Sequence, residues 1–457
     1  MQRIYLDYAA TTPVDPAIRR AMEPYFSEKF GNPGSLHTFG QEAIAAVDKA
    51  RETVAKSIGA DFREIIFTGS ATEANNLALR GSVRGLTRTG RARLPDWDGQ
   101  GRTRKGFGVS QREVRDSQRP RIIISAVEHE SVRETARDLE KEGVEVVEIP
   151  VSREGVVDIL KLEEALNDRT VLVSVMYANN EIGTIQPVAE ISKIIRNFRV
   201  SRVTGQASGN RRHGPGITAE NPWPVALDAW PLFHTDAVQA FQFLDCNVEK
   251  LGVDMMTLSA HKIYGPKGVG ALYTGNRVWG LGSSKNGKKS GLYPNPYTLT
   301  PVLTGGGQEF SLRSGTENVP AVVGFAEAAR VAARMRKKES MRVGALRKEL
   351  WEGIKETCPE AEMNGAQEQR CTLPNILNVY FPGRSAQDLL TKCDVRGLAV
   401  SAGPACTSRS ASPSRILHAL GYLERRAKES VRFSMGKYTT REEIRRAIHI
   451  IALVTAL

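Results

Sequence analysis

Cysteine is scarce in this 457-residue chain: there are five, and no two form a Cys-x-x-Cys pair. Cys246, Cys358, Cys371, Cys393 and Cys406 are an odd set, which argues against a disulfide framework or a zinc site. No metal is expected, and the usage fits a reducing compartment, so a cytoplasmic location is expected too. No apolar run approaches the roughly 20 residues that cross a bilayer, and the N-terminus shows no signal peptide. Acidic residues are outnumbered, giving a formal charge of +12. Its location matters more than its size. Residues 84–121 carry eleven Lys/Arg against four Asp/Glu, and 199–220 carry four Arg against one Glu, leaving only +2 elsewhere. Both segments are rich in Gly, Pro and Ser and weakly apolar, so they read as solvated insertions, near 84–121 and 199–230. A basic strip could also hold RNA or an acidic partner, but the remaining chain is near neutral, and nucleic acid is not the expected ligand.

With 41% hydrophobic residues the chain can bury a large core and should divide into two domains. Short apolar runs at Ile65–Thr68, Arg121–Ser125, Val144–Ile149 and Thr170–Met176 alternate with helical spacing at Gln41–Ile58, Ser131–Glu142, Ile159–Leu166 and Val188–Phe198. That rhythm predicts an α/β fold with a mainly parallel sheet. Further on, periodicity over Ala321–Arg336 and Met341–Thr357 predicts a linking helix and the start of a smaller unit, with a strand near Pro374–Phe381. Residues 280–297 are an irregular, Gly/Ser/Lys/Pro-rich stretch.

The chemistry concentrates at Ser259-Ala260-His261-Lys262, which follows the apolar run Met255–Leu258 and precedes Gly265-Pro266-Lys267-Gly268. A strand that ends on a lysine can present a desolvated amine, which is what imine formation requires. Upstream, Asp236-Ala237-Val238-Gln239 follows another apolar run, Leu232-Phe233. Lysine with an aspartate partner is how proteins hold pyridoxal 5′-phosphate: the amine takes the aldehyde carbon and the acid pairs with the ring nitrogen. Gly69-Ser70-Ala71-Thr72-Glu73, between a strand and a helix, has the form of a phosphate cradle. The same residues also describe an ordinary capped helix, and alone they do not decide.

Phe233–Gln239 with Ser259–Lys262 resembles the cysteine desulfurases of the class V aminotransferase group. The resemblance runs in order from Tyr5-Leu6-Asp7-Tyr8-Ala9-Ala10-Thr11-Thr12-Pro13 to Val431-Arg432-Phe433-Ser434-Met435-Gly436. It implies the aminotransferase-type fold (fold type I of the pyridoxal-phosphate enzymes). A large cofactor domain would span 19–305, and a small α+β domain 1–18 with 306–457. It implies pyridoxal 5′-phosphate on Lys262, with Asp236 at the ring nitrogen and Gln239 at the ring hydroxyl. Ala71, Thr72, Ser259 and His261 would hold the phosphate, joined by Thr316 from a partner subunit of a homodimer. His129 would stack on the ring and shuttle protons, Asn180 would bond near the ring hydroxyl or the substrate carboxylate, and Arg432 would capture that carboxylate. Cys406, in Ser401–Ser408, would take sulfur from L-cysteine, leaving L-alanine. Arg409-Ser410-Ala411 departs from the family pattern. A sulfur-acceptor protein is compatible with this reading, although the chain stops at Leu457, where scaffold-docking members commonly continue. Selenocysteine lyase shares the fold and cofactor, and a non-catalytic binding protein using the basic insertions is a further alternative.

Overall fold

β-Branched and aliphatic residues dominate the short strands, and their burial on both faces explains why they lack polar alternation. In the computed structural model, which describes residues 3–88, 119–204, 230–275, 299–403 and 413–456, twelve strands form three sheets. They are β1 (Ile4–Tyr5), β2 (Ile65–Thr68), β3 (Arg121–Ser125), β4 (Glu145–Ile149), β5 (Thr170–Ser174) and β6 (Leu232–Asp236). Next come β7 (Met255–Ser259), β8 (Gly270–Thr274), β9 (Glu362–Met363), β10 (Ile376–Tyr380), β11 (Leu398–Ala399) and β12 (Ser430–Ser434). The main sheet has the order β2-β8-β7-β6-β5-β3-β4. β8 runs antiparallel to both β2 and β7, and the remaining pairs are parallel.

This topology places the carboxyl ends of β2, β3, β5, β6 and β7 along one edge. Chain leaving that edge carries every site residue expected from the main sheet, the position where open α/β sheets bind ligands. Gly270 lets the edge close up. A Cβ there would lie 2.7 Å from the Ser70 carbonyl carbon and 2.8 Å from the Ala71 nitrogen.

β9, β10 and β12 form an antiparallel sheet, in which Arg432 opposes Asn378. β1 pairs in parallel with β11, and Asp7 bridges to Ser434, so the N-terminus is stitched to the C-terminal elements. The two helices expected over 321–336 and 341–357 are one 39-residue helix, Val319–Thr357. The polar gap Lys337–Ser340 interrupts the apolar stripe but contains strong helix formers and no proline, so the backbone continues. Glu339 in that gap is buried and accepts from Arg342. Among the described residues, no helix is long and apolar enough to cross a membrane.

Candidate active site

The first wall of the site is the start of helix Ala71–Arg88. Ser70 Oγ accepts from the Glu73 N–H (3.1 Å), and the Glu73 carboxylate accepts from the Gly69 N–H (2.9 Å). The N–H groups of Ala71 and Thr72 lie in the first turn, with no carbonyl one turn back to receive them. They are therefore the amides left for an anion, aided by the helix dipole. Arg313 Nε donates to Glu73 Oε1 (2.8 Å), which ties the 305–316 segment to this turn.

Opposite stands Asp236, the last residue of β6. Its Oδ1 accepts from the Val238 N–H (3.0 Å) and its Oδ2 from Asn75 Nδ2 (2.9 Å). His129 caps helix Glu130–Lys141 through Nδ1, which accepts from the Ser131 N–H (3.1 Å). Burial pushes the neighbouring Glu128 carboxyl up to about 8.

Lys262 ends the short 3-10 turn after β7 and is half-buried. Its amine donates to the carbonyl oxygens of Ala9 and Ala10, each at 2.6 Å. Gln239 Nε2 donates to the same Ala9 carbonyl (3.0 Å). Burial, then the charges of Lys262 and Lys267, push the His261 ring down to about 4, so it stands uncharged beside Thr11 Oγ1 (3.2 Å).

Arg432 is 1% exposed. Its Nη2 donates to Asp7 Oδ1 (2.7 Å) and its Nη1 to the Asn180 carbonyl (2.9 Å), while Nε is buried without a partner. A buried donor of this kind calls for an acceptor, and a carboxylate matches it. Glu181, next to Asn180, is wholly buried and its carboxyl is raised by that burial. It accepts from Ser414 Oγ (2.5 Å).

One cavity of about 410 Å³ joins these groups: Ala71, Thr72, His129, Asn180, Asp236, Gln239, Ser259, His261, Lys262 and Arg432 all line it. Of the remaining expected residues, Thr316 is exposed and lies outside the lining, and Cys406 lies outside the described residues. The sequence reading missed Asp7, the Ala9–Ala10 carbonyls, Asn75 and Ser131. Asn75 lies two residues beyond the phosphate-cradle stretch, and nothing in the sequence there marks it as facing Asp236. Among the described residues, no cluster of three His, Cys, Asp or Glu could hold a metal.

The family model for class-V aminotransferases matches residues 4–93, 110–210 and 228–447. The chain belongs to the class-V aminotransferase family. The two intervals within that match, 94–109 and 211–227, fall inside the basic segments read above as insertions. The chain is 36% identical to cysteine desulfurase IscS of Dictyoglomus turgidum, over 98% of this chain and 94% of that protein. It is 38% identical to the mitosomal cysteine desulfurase of Trachipleistophora hominis, over 97% of this chain and 84% of that one. A solved NifS-like protein shares its fold with a TM-score of 0.76 at 31% identity, covering 100% of both chains.

Class-V enzymes of this kind use pyridoxal 5′-phosphate, and the residues present fit it. The cavity offers two first-turn amides for a phosphate, an amine for an aldehyde and a carboxylate for a ring nitrogen.

Proposed function

We propose that this chain is a cysteine desulfurase. L-cysteine and the Cys406 thiol give L-alanine and a Cys406 persulfide, which serves sulfur delivery. The carrying observation is the convergence of Lys262, Asp236 and Arg432 on one cavity, together with relatives named as cysteine desulfurases.

Pyridoxal phosphate in that cavity supplies an electron sink for the substrate α-carbon. Ala71, Thr72, Ser259 and His261 bind its phosphate, Asp236 and Gln239 orient the ring, and Lys262 anchors it. Arg432 and Asn180 hold the substrate carboxylate, which turns the amino acid so that Cα faces Lys262. Lys262 then takes the Cα proton at Nζ and later returns a proton to carbon. His129 holds a proton beside the ring. The Cys406 thiolate attacks the substrate sulfur. As the new S–S bond forms, the C–S bond breaks and its electron pair stays on carbon, to be protonated as the methyl group of alanine.

The same reading divides the chain into a cofactor unit, 19–305, and a small unit, 1–18 with 306–457. The β1–β11 pairing supports that division. It also includes a homodimer. Phe26, Phe30, Leu36 and Phe39 are 51–93% exposed within one stretch, a patch that a second copy would cover. Thr316, outside this protomer's cavity, then serves the partner's phosphate. A reducing cytoplasmic setting fits the free thiols Cys246, Cys358, Cys371 and Cys393.

The test measures alanine from L-cysteine and from L-selenocysteine for wild type and Cys406→Ala, with mass spectrometry of Cys406. Wild type should yield alanine and a persulfide from cysteine, and the variant almost none. Substantial cysteine turnover by the variant removes Cys406 as the sulfur acceptor. Wild type that uses only selenocysteine is a selenocysteine lyase.

A further inference from the structure

A polar chain crosses the floor of the site between two residues already given roles. Asn75, fully buried on helix Ala71–Arg88, donates from Nδ2 to Asp236 Oδ2 (2.9 Å) and to Ser131 Oγ (2.8 Å). Ser131 Oγ in turn lies 2.8 Å from His129 Nδ1. The direction of every proton in this chain follows from one end. Asp236 already accepts at both oxygens, so the Asn75 edge facing it must be the NH2 edge. The reversed amide would set its oxygen against a carboxylate. With NH2 in place, Asn75 Oδ1 is left buried without a partner, a cost the Asp236 contact offsets. Nδ2 also feeds Ser131 Oγ, which therefore accepts from Asn75 and has its own proton to give to His129 Nδ1. The Ser131 N–H donates to the same Nδ1 as the helix cap. Two donors aimed at one ring nitrogen leave no room for a proton on it, so the proton of the neutral ring sits on Nε2.

We propose that Asn75 and Ser131 are positioning residues that hold His129 as the Nε2–H tautomer, in register with the Asp236 carboxylate. His129 then meets the reaction as a hydrogen-bond donor through Nε2–H, and any transfer of that proton needs another to arrive at Nδ1, which breaks the cap of helix Glu130–Lys141. Proton removal from the substrate is left to Lys262. The inference deepens the reading of this site as a cysteine desulfurase centre and rests on it for that division of labour.

The experiment begins without turnover. Full-length, cofactor-loaded protein labelled with 15N-histidine is examined by long-range 1H–15N correlation, with His129 identified by the signal lost in His129→Gln. The expected pattern is unprotonated Nδ1 with protonated Nε2. Asn75→Ala, which frees the Ser131 hydroxyl but leaves its capping N–H on Nδ1, should weaken that preference. It should also lower kcat about 10- to 100-fold, as expected for a misaligned catalytic group, with KM for cysteine moving much less. Ser131→Ala, which keeps the capping N–H and leaves Asn75 on Asp236, should weaken the tautomer preference at least as much but lower kcat less, and the double variant should be no slower than Asn75→Ala. Protonated Nδ1 in wild type overturns the proposal whether or not any variant folds. So does an Asn75→Ala protein with the wild-type tautomer and kcat, or a double variant whose losses multiply. An Nε2–H signal in a protein that does not consume cysteine would overturn the activity and leave this assignment standing.

Discussion

The side-chain nitrogen of Lys262 lies 2.6 Å from the carbonyl oxygen of Ala9, a residue 253 positions earlier in the chain. The Ala10 carbonyl is equally close, so the N-terminal segment holds the amine before any aldehyde arrives. Lys262→Ala removes a partner that these two carbonyls share and the amine that anchors the cofactor. Borohydride should then leave no cofactor attached to the protein, and turnover should fall by about 10²–10⁴-fold. The thermal midpoint should change little, because the side chain is only half-buried. A reducible link retained on another lysine, with near-normal turnover, would show that the anchor lies elsewhere.

Arg432 and Asp7 give a second test. The guanidinium is buried, is steered by Asp7 and the Asn180 carbonyl, and keeps a buried, unpartnered Nε on a side chain that lines the cavity. Lysine preserves the charge but cannot offer the planar fork. Arg432→Lys should raise KM for cysteine at least about tenfold, the worth of one charged hydrogen bond, with a smaller change in kcat. Cysteamine, which lacks the carboxylate, should be handled equally poorly by both proteins. A wild-type KM in the variant would release Arg432 from carboxylate binding.

How much of this was legible before the structure depends on where each residue sits. Lys262, Asp236, His129, Ala71 and Thr72 lie at or just beyond the ends of strands, and an apolar run that stops on a polar residue is a visible signal. Asp7, Asn75, Ser131 and Glu181 carry no such signal. Their partners lie 425, 161, 56 and 233 positions away respectively, and only the fold brings Asp7 to Arg432, Asn75 to Asp236, Ser131 to Asn75 and Glu181 to Ser414. The mainly parallel sheet was legible from the spacing of its strands, whereas the antiparallel insertion of β8 between β2 and β7 was not. Helix Val319–Thr357 was read as two because periodicity follows burial and not backbone continuity.

Glu128 supplies a pH-dependent test of the buried floor. Its Oε1 accepts from Ser125 Oγ (2.8 Å) and the Met176 N–H (2.6 Å), yet burial dominates and raises the carboxyl from 4.5 to about 8. Between those values the folded chain keeps a proton that the unfolded chain has released. Stability from this group is therefore full below 4.5 and is lost as pH rises through about 8. Glu128→Gln mimics the protonated side chain and cannot ionise. Urea midpoints for the variant should fall less steeply from pH 5 to pH 8.5 than those of wild type. Parallel slopes would mean that Glu128 ionises normally in the fold.

The last prediction concerns the turn that leads to Arg313 and Thr316. Glu309, Phe310 and Ser311 all have positive φ, at 47, 58 and 64°, a left-handed run that non-glycine residues resist. What holds it is the Glu309 carboxylate, buried against the Arg51 guanidinium in a two-pronged pair with both contacts at 2.6 Å. Glu309 Oε2 also accepts from the Phe67 N–H (2.8 Å), and the guanidinium lies 5.0 Å from the ring centres of both Phe67 and Phe310. Breaking one half of such a pair strands a charge in the core. Glu309→Ala should therefore cost about 3–5 kcal/mol of unfolding free energy. Replacing both partners, in Arg51→Met/Glu309→Leu, removes the stranded charge and should recover at least half of that loss despite the lost Phe67 bond. Because Arg313 couples this turn to Glu73 at the phosphate cradle, Glu309→Ala should also weaken cofactor retention, read as loss of cofactor absorbance on dialysis. A double variant as unstable as Glu309→Ala would mean that the strained turn, and not the ion pair, governs the stability of this corner.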